Sequence, residues 1–196
     1  MPDFRKTGAA VLVGLGFAAL APTSTTAEPE PKESFAVQLS IEMAAHRRLV
    51  EVMDKVGHTP APFVTDGCSG GLSTAWDLIA DLLPAFAETH EEHPPWEACC
   101  VTHDRAYHAA GGARSAEESY RARFVADEAL RTCVLDTGAR RMQHLSETYD
   151  LSEGRIASAY GIIADAMFDA VRLGGGPCSG LPWRWGYGYP GCLLGR

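Results

Sequence analysis

Cys99-Cys100-Val101-Thr102-His103-Asp104-Arg105-Ala106-Tyr107 is the stretch that decides how this chain folds. At about 100° of rotation per residue, a helix brings His103 and Tyr107 to one face and Cys100 and Asp104 to the next. Two adjacent cysteines can then anchor the helix while an imidazole and a carboxylate project into one cleft. A base, an acid and two covalent anchors this close together point to a site-bearing helix in a disulfide frame.

The rest of the sequence supplies the frame. Six cysteines are present: Cys68, Cys99, Cys100, Cys133, Cys178 and Cys192. An even number in an exported chain reads as a full set of disulfides, with the pairing left open by spacing alone. Export is expected from residues 1–27. Arg5 and Lys6 give the positive start, Gly8 to Ala21 the apolar run, and Thr25-Thr26-Ala27 a small-residue cleavage site. That run is shorter than the roughly 20 residues of a membrane span, although an uncleaved anchor is the competing reading. The chain is thus expected to be secreted or extracytoplasmic, the periplasm included. Zinc is the competing reading of the cysteines. There is no CxxC pair, however, and His90, His93, His103 and His108 fit no zinc spacing well.

The formal charge is −8. Removing residues 1–27 takes away Asp3, Arg5 and Lys6, a net +1, and leaves the remainder near −9. Such an acidic protein is a poor nucleic-acid binder and gains nothing from an anionic bilayer by charge alone. A monomer with no stable protein partner is expected.

Helical patterns dominate. Residues 28–34 are rich in Pro and Glu and read as a disordered lead-in, and a single domain is expected over 35–196. From Phe35, the positions Leu39, Met43, Leu49, Val50, Met53 and Val56 favour a helix, although Phe35-Val37-Leu39-Ile41 also alternates. Residues 65–71 form a loop with three glycines. Ser73-Thr74 can cap a helix with the apolar face Trp76, Ile79, Leu83 and Phe86. The helix of the opening stretch should run from near Trp96 to Gly111-Gly112. Ser115-Ala116-Glu117-Glu118 is a capping box for a helix to about Val134. A weaker helix is expected over Arg140–Tyr149. A last one begins near Ser152, with the stripe Ile156, Ala159, Ile163, Ala166 and Ala170. In the tail, Trp183, Trp185, Tyr187 and Tyr189 alternate and read as a short β-hairpin between Cys178 and Cys192. The tail's aromatics suit either a bilayer interface or a cover over the helices. The fold expected is mostly α with a small C-terminal β-hairpin.

Cys-Cys-x-x-His-Asp-x-x-Tyr, preceded by a loop with glycines and a cysteine, resembles the secreted calcium-dependent phospholipases A2. The resemblance spans roughly Asp66 to Cys133 and suggests a divergent branch of bacterial or fungal type. It omits the first helix, the insertion from Trp76 to Pro95 and the last sixty residues or so. It implies an antiparallel helix pair locked by Cys99–Cys133, a Cys68–Cys100 bridge that holds the glycine loop, and Cys178 left to pair with Cys192. Asp127, six residues before Cys133, then meets His103. Ala106 and Ala126 stand where many members carry another bridge, so both of its ends are missing together.

The roles follow from the resemblance and fit the chemistry. His103 is the general base on water, because an imidazole titrates near neutral pH. Asp127 orients it and Tyr107 hydrogen-bonds that aspartate. Tyr120, seven residues before Asp127, is a candidate second partner. Asp104 binds calcium together with the carbonyls of Gly67, Ser69 and Gly71, since a hard cation wants six to eight oxygens. The loop lacks the family's upstream cysteine and tyrosine and carries Thr65-Asp66-Gly67 instead, which adds Asp66 as a candidate ligand. The implied activity is hydrolysis of the sn-2 ester of phospholipids in membranes or aggregates. No GxSxG elbow supports a serine hydrolase. The alternatives are a phospholipase-like scaffold that binds lipid or protein without catalysis, and a structural disulfide-rich protein with a chance motif.

Overall fold

A computed structural model describes residues 31–68 and 93–192. Four α-helices are found among them: α1 (Pro31–Lys55), α2 (Glu97–His108), α3 (Ala116–Tyr149) and α4 (Glu153–Gly174). A single 3₁₀ turn, Ala110–Gly112, joins α2 to α3. Residues 1–27 and the helix expected from Ser73 lie outside the described residues.

The capping box forms as the sequence suggests. The Ser115 side chain accepts from the Glu118 N–H, and Glu118 Oε2 accepts from the Arg114 N–H. These bonds satisfy donors that a helix start leaves orphaned. α3 then runs unbroken to Tyr149, which corrects the expected separation into two helices. Gly138 lies mid-helix, where a glycine normally costs up to about 1 kcal/mol. Here it gives Tyr160 of α4 room to pack, because a Cβ at 138 would stand 2.4 Å from the ring. α1 begins at Pro31, so its first turn takes in residues expected as lead-in; proline is tolerated at a helix start.

The tail is the other correction. No strand occurs among the described residues, and the aromatic stretch is a chain of tight turns. Tyr187 N bonds Arg184 O and Tyr189 N bonds Gly186 O, which are turn bonds rather than a ladder. Gly186 takes a positive φ of 75°. Three other tail donors reach neighbouring elements instead: Trp185 N to Gly175 O, Gly186 N to Tyr107 O and Gly188 N to His108 O. Pairing with fixed helix ends wins over hairpin closure, and Trp185 becomes fully buried.

Two cores result. One packs α4 against α2 and α3 through Trp96, Leu130, Val134, Ile156, Tyr160 and Met167. The other packs α1 and the tail against the same pair through Leu49, Met53, Tyr107, Trp185 and Tyr189. The disulfides are Cys68–Cys100, Cys99–Cys133 and Cys178–Cys192, the pairing that the resemblance implies. Among the described residues no helix is long and apolar enough to cross a membrane. Three disulfides suit an oxidising, extracytoplasmic location.

Candidate active site

The α2–α3 pair sets the geometry by simple counting from its bridge. His103 lies four residues past Cys99, about 6 Å along the axis, and Tyr107 lies eight past, about 12 Å. Asp127 lies six before Cys133 on the antiparallel partner, about 9 Å from the bridge and between those two levels. It meets both. His103 Nε2 is 2.9 Å from Asp127 Oδ1, and the Tyr107 hydroxyl donates to the same oxygen at 2.7 Å. Asp127 is fully buried and His103 nearly so.

The direction of each bond follows from the carboxylate. Asp127 accepts, so Nε2 of His103 carries the proton and Nδ1 keeps its lone pair. Nδ1 has no hydrogen bond to any described residue. The Tyr107 hydroxyl stays protonated far above its ordinary range, chiefly through burial and then through the Asp127 charge beside it. It is therefore a donor to Asp127 at any working pH.

The second oxygen of Asp127 faces two guanidiniums. Arg172 Nη1 donates to Oδ2 at 3.1 Å, and Arg123 Nε stands 3.9 Å from it. Arg123 also bonds the Tyr107 oxygen at 3.3 Å and the carbonyls of Val171 and Arg172 at 2.8 Å. Both arginines reach Glu42 of α1, at 2.6 Å and 3.0 Å. Burial works against the charge of Arg172, but its bond to Asp127 and the nearby Glu42 carboxylate raise its pKa overall.

Neither arginine nor Glu42 was anticipated from the sequence. Arg123 and Asp127 do stand at i and i+4 on one helix, which is the spacing of a side-chain pair and was the available signal. Glu42 and Arg172 lie in helices beyond the resemblance, and nothing in their local sequence links them to it. Tyr120 fails as the second partner of Asp127. Two helical turns, about 10 Å, separate them. Its ring instead packs edge-on against His46 and under the Arg172 guanidinium. Arg123, one turn from Asp127, takes the place expected for Tyr120.

Asp104 follows His103 and borders an apolar cavity of about 380 Å³ between α2, α3 and α4. Its walls include Cys100, His103, Tyr107, Leu130, Met167, Val171 and Trp183. A second cavity of about 280 Å³ shares Asp104 and Trp183 and adds Thr65, Asp66 and Tyr187. Thr65 Oγ1 donates to Asp104 Oδ2 at 2.5 Å. The Asp104 carboxyl is raised from its usual pKa, first by burial and also by the Asp66 charge. The same two carboxylates, after burial, push the Tyr187 hydroxyl up to about 12. Asp104 has no cationic salt-bridge partner among the described residues. Gly67 takes a positive φ of 73°, and a Cβ there would approach Glu97 Oε1 to 2.8 Å.

These features fit a hard cation. Asp104 and Asp66 both border the second cavity, and carboxylate oxygens are the donors such an ion takes. No group of three or more His, Cys, Asp or Glu gathers among the described residues, so backbone carbonyls would have to complete the shell. Gly67 is described; Ser69 and Gly71 lie outside the described residues. Comparison of the chain with protein-family models, with curated proteins and with solved structures returned no match.

The raised Asp104 pKa has a testable sign. A carboxyl raised in the folded state carries no penalty below the usual carboxylate range. The penalty grows as pH rises from the usual carboxylate value towards the folded one and is complete above it, so it is present at neutral pH. In chelator at pH 7, Asp104→Asn is therefore expected to melt above the wild-type chain. Calcium at 100 times its dissociation constant should stabilise the wild type by about 2.7 kcal/mol and the variant much less. Thermal melts with calcium and with chelator measure both. A variant that melts lower in chelator, or one that gains equally from calcium, contradicts the assignment.

Proposed function

We propose that this chain is a secreted, calcium-dependent phospholipase A2, hydrolysing the sn-2 ester of glycerophospholipids to a fatty acid and a lysophospholipid. The observation that carries the reading is the His103–Asp127–Tyr107 arrangement on a disulfide-locked helix pair, at the wall of an apolar cavity. A surface histidine with no role needs neither a buried carboxylate on its far nitrogen nor an acyl-sized space beside it.

The residues act as follows. Asp127 fixes the tautomer and ring orientation of His103 and favours the imidazolium that forms as a proton arrives. His103 Nδ1 removes a proton from water, directly or through a second water, and the hydroxide attacks the ester carbonyl. The same imidazolium can return the proton to the leaving alkoxide. Tyr107 and the two arginines keep Asp127 from turning. The apolar cavity takes the acyl chain, and the adjoining cavity at Thr65, Asp66 and Tyr187 takes the polar end of the lipid. Asp104, Asp66 and the carbonyls of Gly67, Ser69 and Gly71 would hold calcium. The bound ion supplies Lewis-acid polarisation of the ester carbonyl.

Fatty-acid release from mixed-chain phosphatidylcholine vesicles tests the reading. The wild type should release the sn-2 chain with calcium and not with chelator. His103→Gln should lose at least about 10²-fold in rate, the lower end of what a general base supplies. Release that ignores the chelator, or an equally active variant, would shift the reading to the non-catalytic binding module. The departures in the loop before Gly67 are what favour that second reading.

A further inference from the structure

We propose that Glu42, carried by α1, is a positioning residue for the catalytic pair: it shares Arg123 and Arg172 with Asp127, and so keeps both guanidiniums on Asp127 Oδ2 and off the Oδ1 that His103 and Tyr107 use. The inference rests on the proposed activity and extends it to a helix outside the phospholipase resemblance.

The geometry is that of a clamp. Glu42 Oε1 takes Arg123 Nη1 at 2.6 Å and Arg172 Nη2 at 3.0 Å. Both guanidiniums also face Asp127 Oδ2, at 3.9 Å and 3.1 Å. Two positive groups thus lie between two carboxylates. Arg123 and Asp127 are buried, while Arg172 and Glu42 are about one-fifth exposed. With His103 neutral the charges of these four groups cancel, which is the condition under which buried ions are tolerated.

Removing one negative charge upsets this balance in a specific way. Both guanidiniums would then have only Asp127 as a carboxylate partner. They would compete with His103 for it, and the cluster would carry a net positive charge before any proton reached the imidazole. A base must gain a positive charge to work, so a cationic surrounding opposes its action.

A second buried polar group stands behind Glu42. His46, one turn along α1, is fully buried, with Nε2 3.8 Å from Glu42 Oε1 and Nδ1 2.8 Å from Ser119 Oγ. Trp185 Nε1 donates to that same hydroxyl oxygen at 2.9 Å. Hydrogen bonds thus link Trp185 in the tail through Ser119 to His46, whose Nε2 faces Glu42 at 3.8 Å without a hydrogen-bond partner among the described residues.

The alternative is that Glu42 merely braces α1 against α3 and α4. Glu42→Gln, which keeps the shape and removes the charge, separates the two. The readouts are kcat and KM on calcium-supplemented phosphatidylcholine vesicles, and the His103 Nε2–H resonance in ¹⁵N-labelled full-length protein. The positioning role requires kcat to fall about 10- to 100-fold with KM unchanged, part of the roughly 10²–10⁴-fold that a general base supplies. The Nε2–H resonance should lose its downfield, strongly hydrogen-bonded position. Adding Arg172→Gln to Glu42→Gln restores the charge balance and should recover part of the kcat, a result no simple brace predicts. Wild-type kcat in Glu42→Gln, or a double variant no better than the single, overturns the proposal. If Glu42→Gln does not fold, Glu42→Asp and Glu42→Asn, equal in length, carry the same comparison: equal kcat overturns it, and a lower kcat for the asparagine supports it. If the wild type releases no fatty acid, the proposed activity fails on its own. The resonance then decides the Glu42 role, an unchanged position in Glu42→Gln overturning it.

Discussion

Asp127→Asn is expected to lower kcat by on the order of 10³- to 10⁴-fold and to destabilise the fold by about 3–5 kcal/mol. Two separate causes act. For catalysis, an asparagine can present its NH₂ to His103 and reverse the tautomer, which puts a proton on the nitrogen that must accept one. It also cannot stabilise the imidazolium. For stability, Asp127 is fully buried and meets four donor groups: the imidazole, the Tyr107 hydroxyl and the two guanidiniums. A neutral amide leaves both guanidiniums with Glu42 as their one carboxylate partner.

The check is kcat on the vesicle substrate beside a urea melt of the same preparation. Tyr107→Phe is the useful companion, since it removes one hydrogen bond to the Asp127 carboxylate and should cost about 1.5–3 kcal/mol with the tautomer intact. An Asp127→Asn variant that is destabilised yet fully active would leave Asp127 with a structural role alone. One that is inactive but as stable as the wild type would mean that the buried charges are far better hydrated than their burial indicates.

The parts of this site that were legible in the sequence share one property: a helix or a disulfide makes them local. His103, Asp104 and Tyr107 fall on neighbouring faces of one helix because 3.6-residue periodicity fixes them. The distance from Cys133 back to Asp127 works in the same way once the bridge is known. The capping box at Ser115 and Glu118 is local as well. What could not be read depends on elements distant in sequence. Glu42 and Arg172 are 130 residues apart and meet only because α1 and α4 both pack against α3. The tail misled for a related reason. Alternating aromatics favour a hairpin only when the two arms have each other as partners. Here the carbonyls of Tyr107, His108 and Gly175 at the ends of α2 and α4 were available, and the tail's N–H groups bonded those. Gly138 misled in the opposite direction, since its cost as a helix residue is local and its compensation by Tyr160 is not.

Removing the bridge between α2 and α3, by Cys99→Ala with Cys133→Ala, is expected to cost about 4 kcal/mol, the chain-entropy value for its 34-residue separation. For a domain of this size that corresponds to a fall in Tm of roughly 8–16 °C. Alanine is the better replacement, because Cys99 is buried and a serine hydroxyl there would need a new partner. The effect on rate should exceed what the loss of folded protein explains. His103 and Asp127 sit on different helices, and the bridge is the covalent link that fixes the offset between them. A misplacement of about 1 Å is enough to cost 10²-fold in a reaction that depends on a held geometry. Melting curves and kcat at a temperature where the variant is fully folded separate the two effects. Removing Cys178 and Cys192 instead, with their 14-residue separation, should cost about 3 kcal/mol. That bridge lies in the tail and does not join the helices of the catalytic pair, so its loss should change kcat far less. If the two double variants lost the same kcat, the α2–α3 bridge would be a staple for stability and not the device that aligns the base with its carboxylate.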